Sequence, residues 1–242
     1  MSPLLIVVIL AALALLTYWQ LVIAEGAYLG PRVVALLYDL AAHRYNRIKQ
    51  FNPDDDAWFL GDPLADSLAA LARPRVLDVA TGSGRLPLTL LSHPEFGGTI
   101  VAVDLARRML RQAARALSGY SNRVIVSRQD GSRLALADAT FDAVCCVEAL
   151  EFMPDPGAAL AECVRVLKPG GVLLVTRRTG WWARWMPGRA PSPAKFKAQV
   201  EALGVCNVQA QIWQVDYDLV WGVKADLRFA NRSSYNRGGR PI

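Results

Sequence analysis

Histidine is scarce in this chain of 242 residues: only His43 and His93 are present, which argues against a His-built metal centre. Cysteine is almost as sparse, at four. Cys145 and Cys146 adjoin in an apolar run, Cys163 and Cys206 stand alone, and no Cys-x-x-Cys pair occurs. Neither a zinc site nor a disulfide framework is implied, and the four read as small hydrophobes in a reducing compartment. Charge is missing altogether from residues 3–24. A run of that length matches the roughly 20 helical residues that cross a ~30 Å hydrocarbon core. Tyr18, Trp19 and Gln20 near its end suit a membrane interface. A cleaved signal peptide would need a basic start and a shorter apolar run, so a retained anchor is expected. Arg32, Arg44, Arg47 and Lys49 follow the run and no Lys or Arg precedes it, which places the remainder of the chain on the cytoplasmic side. The net charge of +6 and pI near 9.3 suit an anionic partner, either lipid or nucleic acid, without choosing between them.

The most informative stretch is residues 75–86, RVLDVATGSGRL. Val76, Leu77 and Val79 make a short apolar run, Thr81-Gly82-Ser83-Gly84 a turn, and residues 85–92 can be helical. A buried strand, a tight glycine turn and a helix start form half of a nucleotide-binding βαβ unit. Asp78, near the strand end, would repel a pyrophosphate and attract a cationic amino group. That favours S-adenosylmethionine over NAD. The dinucleotide fingerprint would also need a small residue at position 87, which is Pro87.

Around this stretch the pattern alternates. Residues 33–51 carry apolar side chains at helical spacing and stop before Asn52-Pro53, and residues 59–72 read as a second helix. These two could cover a ligand pocket, with Tyr38, Asp39, His43 and Tyr45 as candidates to face a substrate. Strands are expected at 75–79, 99–103, 123–127, 141–147 and 172–176, with helices at 106–117 and 155–167 and a turn at 168–171. Residues 192–203 read as a helix, and 205–213 with 215–223 as an antiparallel pair. The fold class is α/β: a Rossmann-like, mostly parallel sheet of about seven strands with helices on both faces and a C-terminal hairpin. Asp104, closing the second strand, can accept hydrogen bonds from two ribose hydroxyls, and Asp130-Gly131 after the third strand can approach an adenine.

Taken in order, VLDVATGSGRL at 76–86, VAVDLARRML at 101–110, QDGSRLALADATFDAVCCVEALEFMPDP at 129–156 and VRVLKPGGVLLVT at 164–176 resemble the class I S-adenosylmethionine-dependent methyltransferases. The branch that includes ubiquinone and menaquinone methyltransferases is the most similar. The resemblance implies that Asp78, Ala80, Gly82 and Gly84 line the methionine end of S-adenosylmethionine. It places Asp104 and Leu105 at ribose and adenine, Asp130 and Gly131 at adenine, and Val147 beside the methionyl group. Ala80 departs from the glycine that many members carry. No Pro-Pro-Tyr motif follows Val147, which argues against a nucleic-acid target.

The expected organisation is an anchor at 1–25, a helical extension at 26–72, the methyltransferase domain at 73–230 and a basic, flexible tail at 231–242. Within 177–189, Trp181, Trp182 and Trp185 interleave with Arg177, Arg178, Arg184 and Arg189, a composition suited to a membrane surface beside the site. The expected partners are a small or lipid-like acceptor and the membrane. Glu148, Glu151 and His43 are candidate bases, none of them assigned. Two other readings remain open at this point: an NAD(P)-dependent oxidoreductase, and a non-catalytic S-adenosylmethionine-binding scaffold tethered to the membrane.

Overall fold

A computed structural model describes residues 2–226; the tail expected at 231–242 lies outside the described residues. Seven strands form one sheet: β1 (Arg75–Val79), β2 (Thr99–Asp104), β3 (Val124–Arg128), β4 (Phe141–Cys146), β5 (Leu167–Arg178), β6 (Val205–Gln214) and β7 (Tyr217–Lys224). Their order is β3-β2-β1-β4-β5-β7-β6. The pairs from β3 to β5 are parallel, and β7 runs antiparallel to both β5 and β6. The chain moves outward from β1 to β3, then restarts at β4 on the other side of β1. The switch point therefore lies between β1 and β4, where an open α/β sheet leaves a crevice at its carboxyl edge.

The described residues form ten α-helices: α1 (Pro3–Tyr18), α2 (Pro31–Ala41), α3 (Tyr45–Lys49), α4 (Pro53–Asp56), α5 (Asp62–Leu68), α6 (Arg85–Ser92), α7 (Arg107–Ala116), α8 (Pro156–Val166), α9 (Gly180–Ala183) and α10 (Pro193–Ala202). Side chains alternate across each strand, so the sheet feeds two cores. Val76, Ile100, Ala143, Cys145 and Leu174 pack against Leu64 and Leu68 of α5 and Leu86 and Leu90 of α6. Leu77, Val79, Val144, Cys146 and Leu173 face the other way, against Leu160, Cys163 and Val164 of α8 and Phe196 and Val200 of α10. Cys145, Cys146 and Cys163 are buried, while Cys206 is exposed on β6.

The helix expected over 33–51 is broken into α2, a 3-10 turn (Ala42–Arg44) and α3. It ends at Gln50, which is left-handed (φ 47), ahead of the Asn52-Pro53 stop. Asn52 then caps α4, accepting from the Asp54 amide, with Pro53 at its first position. The helix expected over 59–72 is shorter, because α5 starts only after a π turn (Ala57–Gly61). The turn expected at 168–171 lies within β5. Phe141 pairs with Leu167 and Ala143 with Val172, so residues 168–171 bulge out of the ladder, with Gly170 at φ 78.

Residues Pro3–Ile23 form one continuous helical segment with a mean hydropathy of 2.5, none of it buried, long and apolar enough to cross a membrane. Its end is tied to the globular part. Trp19 Nε1 donates to the Trp185 carbonyl at 2.7 Å and its ring stacks on Tyr28. The Tyr28 hydroxyl donates to the Pro187 carbonyl at 2.9 Å, and Arg189 donates to the Ala27 carbonyl at 2.8 Å. Trp181, Trp182 and Trp185 remain 60%, 41% and 49% exposed, which rules out a core role for them.

Candidate functional site

The crevice at the switch point is lined by the turn after β1, the ends of β2 and β4, the residues after β3, and α2 from above. Its cavity volume is about 100 Å³, and a smaller chamber of about 40 Å³ adjoins it around the glycine turn. Ala80, Gly82, Asp104, Leu105, Asp130, Gly131 and Val147 line the main cleft. Asp78 lines the chamber, together with Thr81, Ser83 and Arg85. Gly84 lines neither. It packs on α7, where a Cβ would come 3.1 Å from the Ala113 Cα.

The turn is built by its backbone. Ala80, Gly82 and Gly84 have positive φ values of 58, 56 and 87. Glycine reaches that region freely, whereas Ala80 carries strain of about 1 kcal/mol. Asp104 locks the turn to β2: Oδ2 accepts from the Gly82 amide and Oδ1 from the Ala106 amide, both at 2.8 Å. Burial pushes the Asp104 carboxyl up, against the pull of those amides. A carboxylate offers about four acceptor positions. Each oxygen of Asp104 spends one of these on a backbone amide. Gly131 permits a close approach, since a Cβ there would meet Val79 Cγ1 at 2.9 Å. Asp130 turns its Oδ1 to the Ser132 amide at 2.9 Å, so it shapes the loop beside the cleft.

Asp78 is buried. Desolvation raises its carboxyl to about 7, the Thr81 hydroxyl opposing and the Asp104 carboxylate adding to the rise. A cationic amino group alongside would restore its charge. The residues therefore fit S-adenosylmethionine: Asp104 would take the ribose diol, Gly131 and Leu105 would lie along the base, and Asp78 would face the ammonium group.

Glu148 sits at the seam of the two cavities, left-handed at φ 54. Lys49 Nζ lies 2.9 Å from its Oε2 and Arg85 Nη1 lies 2.7 Å from its Oε1. Burial alone would raise its carboxyl, but the two cations hold it below the usual range. Arg85 also pairs with buried Asp56 and stacks 4.0 Å above the Phe51 ring. Nothing short-range in the sequence signals this network, because its members come from α3, α4, α6 and the end of β4. Glu151 lies on the far side of its segment, buried, raised by desolvation and accepting from the Tyr217 hydroxyl. His43 is exposed and Asp39 accepts from the Arg108 amide at the start of α7, so neither faces the cleft. Tyr38 and Tyr45 do, with Val34, Ala35, Phe152 and Met153 completing an apolar and aromatic wall.

A family model described as a methyltransferase domain matches residues 77–175. A ubiquinone biosynthesis O-methyltransferase of Paracidovorax citrulli is 34% identical over 151 residues, covering 61% of this chain and 62% of that protein. A demethylmenaquinone methyltransferase of Clavibacter sepedonicus is 29% identical over 195 residues, covering 76% and 77%. The chain spans 62% and 59% of the length of two of the O-methyltransferases it matches. The solved [4+2]-cyclase SpnF superposes with a TM-score of 0.63 at 19% identity, covering 81% of this chain and 96% of the cyclase. That likeness carries the fold alone, and a shared fold does not fix the reaction. Over residues 77–175 the chain is thus similar to the methyltransferase domain of S-adenosylmethionine-dependent enzymes.

Proposed function

We propose that this chain is a membrane-anchored methyltransferase that moves the methyl group of S-adenosylmethionine to a lipophilic, quinone-type ring acceptor. The observation that carries this reading is the position of α2. It begins at Pro31, just past the apolar helix, and lines the cleft with Val34, Ala35 and Tyr38. Its other side leaves Leu36 and Leu40 exposed, next to exposed Leu29. An aromatic-walled cleft roofed by the first helix after the anchor suits a flat ring delivered from a bilayer. The relatives named for ubiquinone and menaquinone chemistry support the same substrate class. Arg32, Arg44, Arg47 and Lys49 after the apolar helix support a cytoplasmic catalytic domain. The exposed Trp181, Trp182 and Trp185 support a second membrane contact.

S-adenosylmethionine brings an activated methyl group. The chain's contribution is alignment and exclusion of water. Asp104 and Asp78 hold the two ends of the donor, and Tyr38, Tyr45 and Phe152 flank the space left for a ring.

The test uses the full chain in nanodiscs. S-adenosylhomocysteine should bind, and Asp104→Ala should weaken it about 30-fold or more, since two charge-assisted hydrogen bonds are lost. Methyl transfer should then be detected onto catechols carrying a prenyl chain. Absence of binding, or transfer only to water-soluble acceptors, would overturn the reading. Trp→Phe at 181, 182 and 185 together should remove part of the fluorescence quenched by brominated lipid, and unchanged quenching would refute the second membrane contact.

A further inference from the structure

A cluster of charged groups lies behind the acceptor wall. Arg178 lies 3.6 Å from Glu151 and donates to the Tyr217 hydroxyl at 2.9 Å, while Tyr217 donates to Glu151. Glu151 thus has a cation and a phenol to itself. Glu25 is a second carboxylate whose field reaches Arg178 and Glu151. Among the described residues Glu25 forms no ion pair within 4 Å. It accepts a hydrogen bond from the Tyr38 hydroxyl, at 2.6 Å.

Tyr38 connects this cluster with the cleft. Its ring belongs to the cleft wall, with centroids 5.9 Å from Tyr45 and 6.4 Å from Phe152. The backbone that presents Glu25 is unusual. Glu25 has φ 48, a conformation that side-chain-bearing residues rarely adopt, and Gly26 follows at φ 75. Gly26 sits so close to α2 that a Cβ would meet Leu37 and Val33 at 3.0 Å. This double left-handed turn brings the first charged residue after the apolar helix onto the α2 tyrosine. Glu148, which also lines the cleft, is already satisfied by Lys49 and Arg85.

We propose that Tyr38 and Glu25 take the proton from a phenolic acceptor during methyl transfer, Tyr38 as the catalytic group and Glu25 acting through it. This rests on the methyltransferase reading above. The acceptor O–H bond breaks and its proton passes to the Tyr38 oxygen, while the proton of Tyr38 moves to the Glu25 carboxylate. The acceptor oxygen forms the O–CH3 bond, and the electron pair of the broken C–S bond stays on sulfur. Glu25, half-buried, returns the proton to water before the next turnover.

The experiment compares the full chain in nanodiscs with Glu25→Gln and Tyr38→Phe on two probes, a farnesylated catechol and its nitro-substituted analogue. The catechol needs a base, whereas the nitro compound ionises unaided at pH 8. Each variant should lower kcat on the catechol about 100-fold, at the low end of what general-base groups supply. The loss on the nitro analogue should be less than about 5-fold, and S-adenosylhomocysteine should bind within about 2-fold of wild type. Equal losses on both phenols would assign the pair a structural role and overturn the proposal, as would unchanged kcat. If Glu25→Gln no longer binds S-adenosylhomocysteine, Tyr38→Phe decides by the same ratio. Wild type inactive on both phenols would overturn the methyltransferase reading itself, and the proton pair with it; activity lost selectively on the catechol separates the two.

Discussion

Asp78 makes the stability of the fold and its affinity for ligand respond to pH in opposite directions. Burial raises its carboxyl from 3.8 to about 7. The folded protein therefore holds a proton there that the unfolded chain releases near pH 4. A raised carboxyl stabilises the fold fully below the unfolded value and ceases to do so as pH climbs through about 7. Between pH 5.5 and 8 the lost contribution is about 2 kcal/mol, at 1.36 kcal/mol for each pH step up to 7. Urea unfolding of the full chain in detergent, at both pH values, measures it. Wild type should lose about 2 kcal/mol more than Asp78→Asn over that interval. Ligand binding runs the other way. A ligand ammonium group beside Asp78 favours the ionised form, so S-adenosylhomocysteine should bind about tenfold more tightly at pH 8 than at pH 5.5. In Asp78→Asn the dependence should flatten and the affinity should fall. Identical pH slopes in wild type and variant, in both unfolding and titration, would refute the assignment of Asp78 as the buried partner of a cation.

Other perturbations test the surrounding construction. Ala80→Gly relieves the left-handed alanine at φ 58 and should stabilise the protein by about 0.5 kcal/mol, the strain relief exceeding the added chain entropy of glycine; denaturant melts check this. Arg85→Leu leaves Asp56 and Glu148 buried without their shared cation and should cost about 3–5 kcal/mol. Gly84→Ala sets a Cβ 3.1 Å from the Ala113 backbone at a φ of 87, so it should lower the melting temperature and weaken S-adenosylhomocysteine binding by displacing the turn. Unchanged melting would disprove that close packing.

The parallel core was legible because its signals are local. The apolar run Val76 to Val79, the glycines at 82 and 84 and Asp104 at a strand end need only a few neighbours to be understood. The hairpin was legible from its alternation. The N-terminal extension was not, because its breaks lack the usual marks: Gln50 takes a left-handed cap without being glycine, and a π turn replaces the start of a regular helix. The polar site was half-legible. Tyr38 and Tyr45 were candidates to face a substrate, but so were Asp39 and His43, and only packing separates them. Lys49, Arg85 and Glu148 converge from distant parts of the chain, and no spacing rule joins them.

The knot at the end of the apolar helix has a consequence for how the protein searches. Trp19, Tyr28 and Arg189 bind the helix end, the insertion after β5 and the approach to α2 into one unit. A tether with slack would let a catalytic head tumble and sample a hemisphere of water. This one has no slack, so with the helix in a bilayer the head keeps one face and one height. On the membrane-anchored reading proposed above, the cleft would then glide in a plane, and encounters with a ring dissolved in lipid would depend on its density per area rather than on its concentration in the aqueous volume.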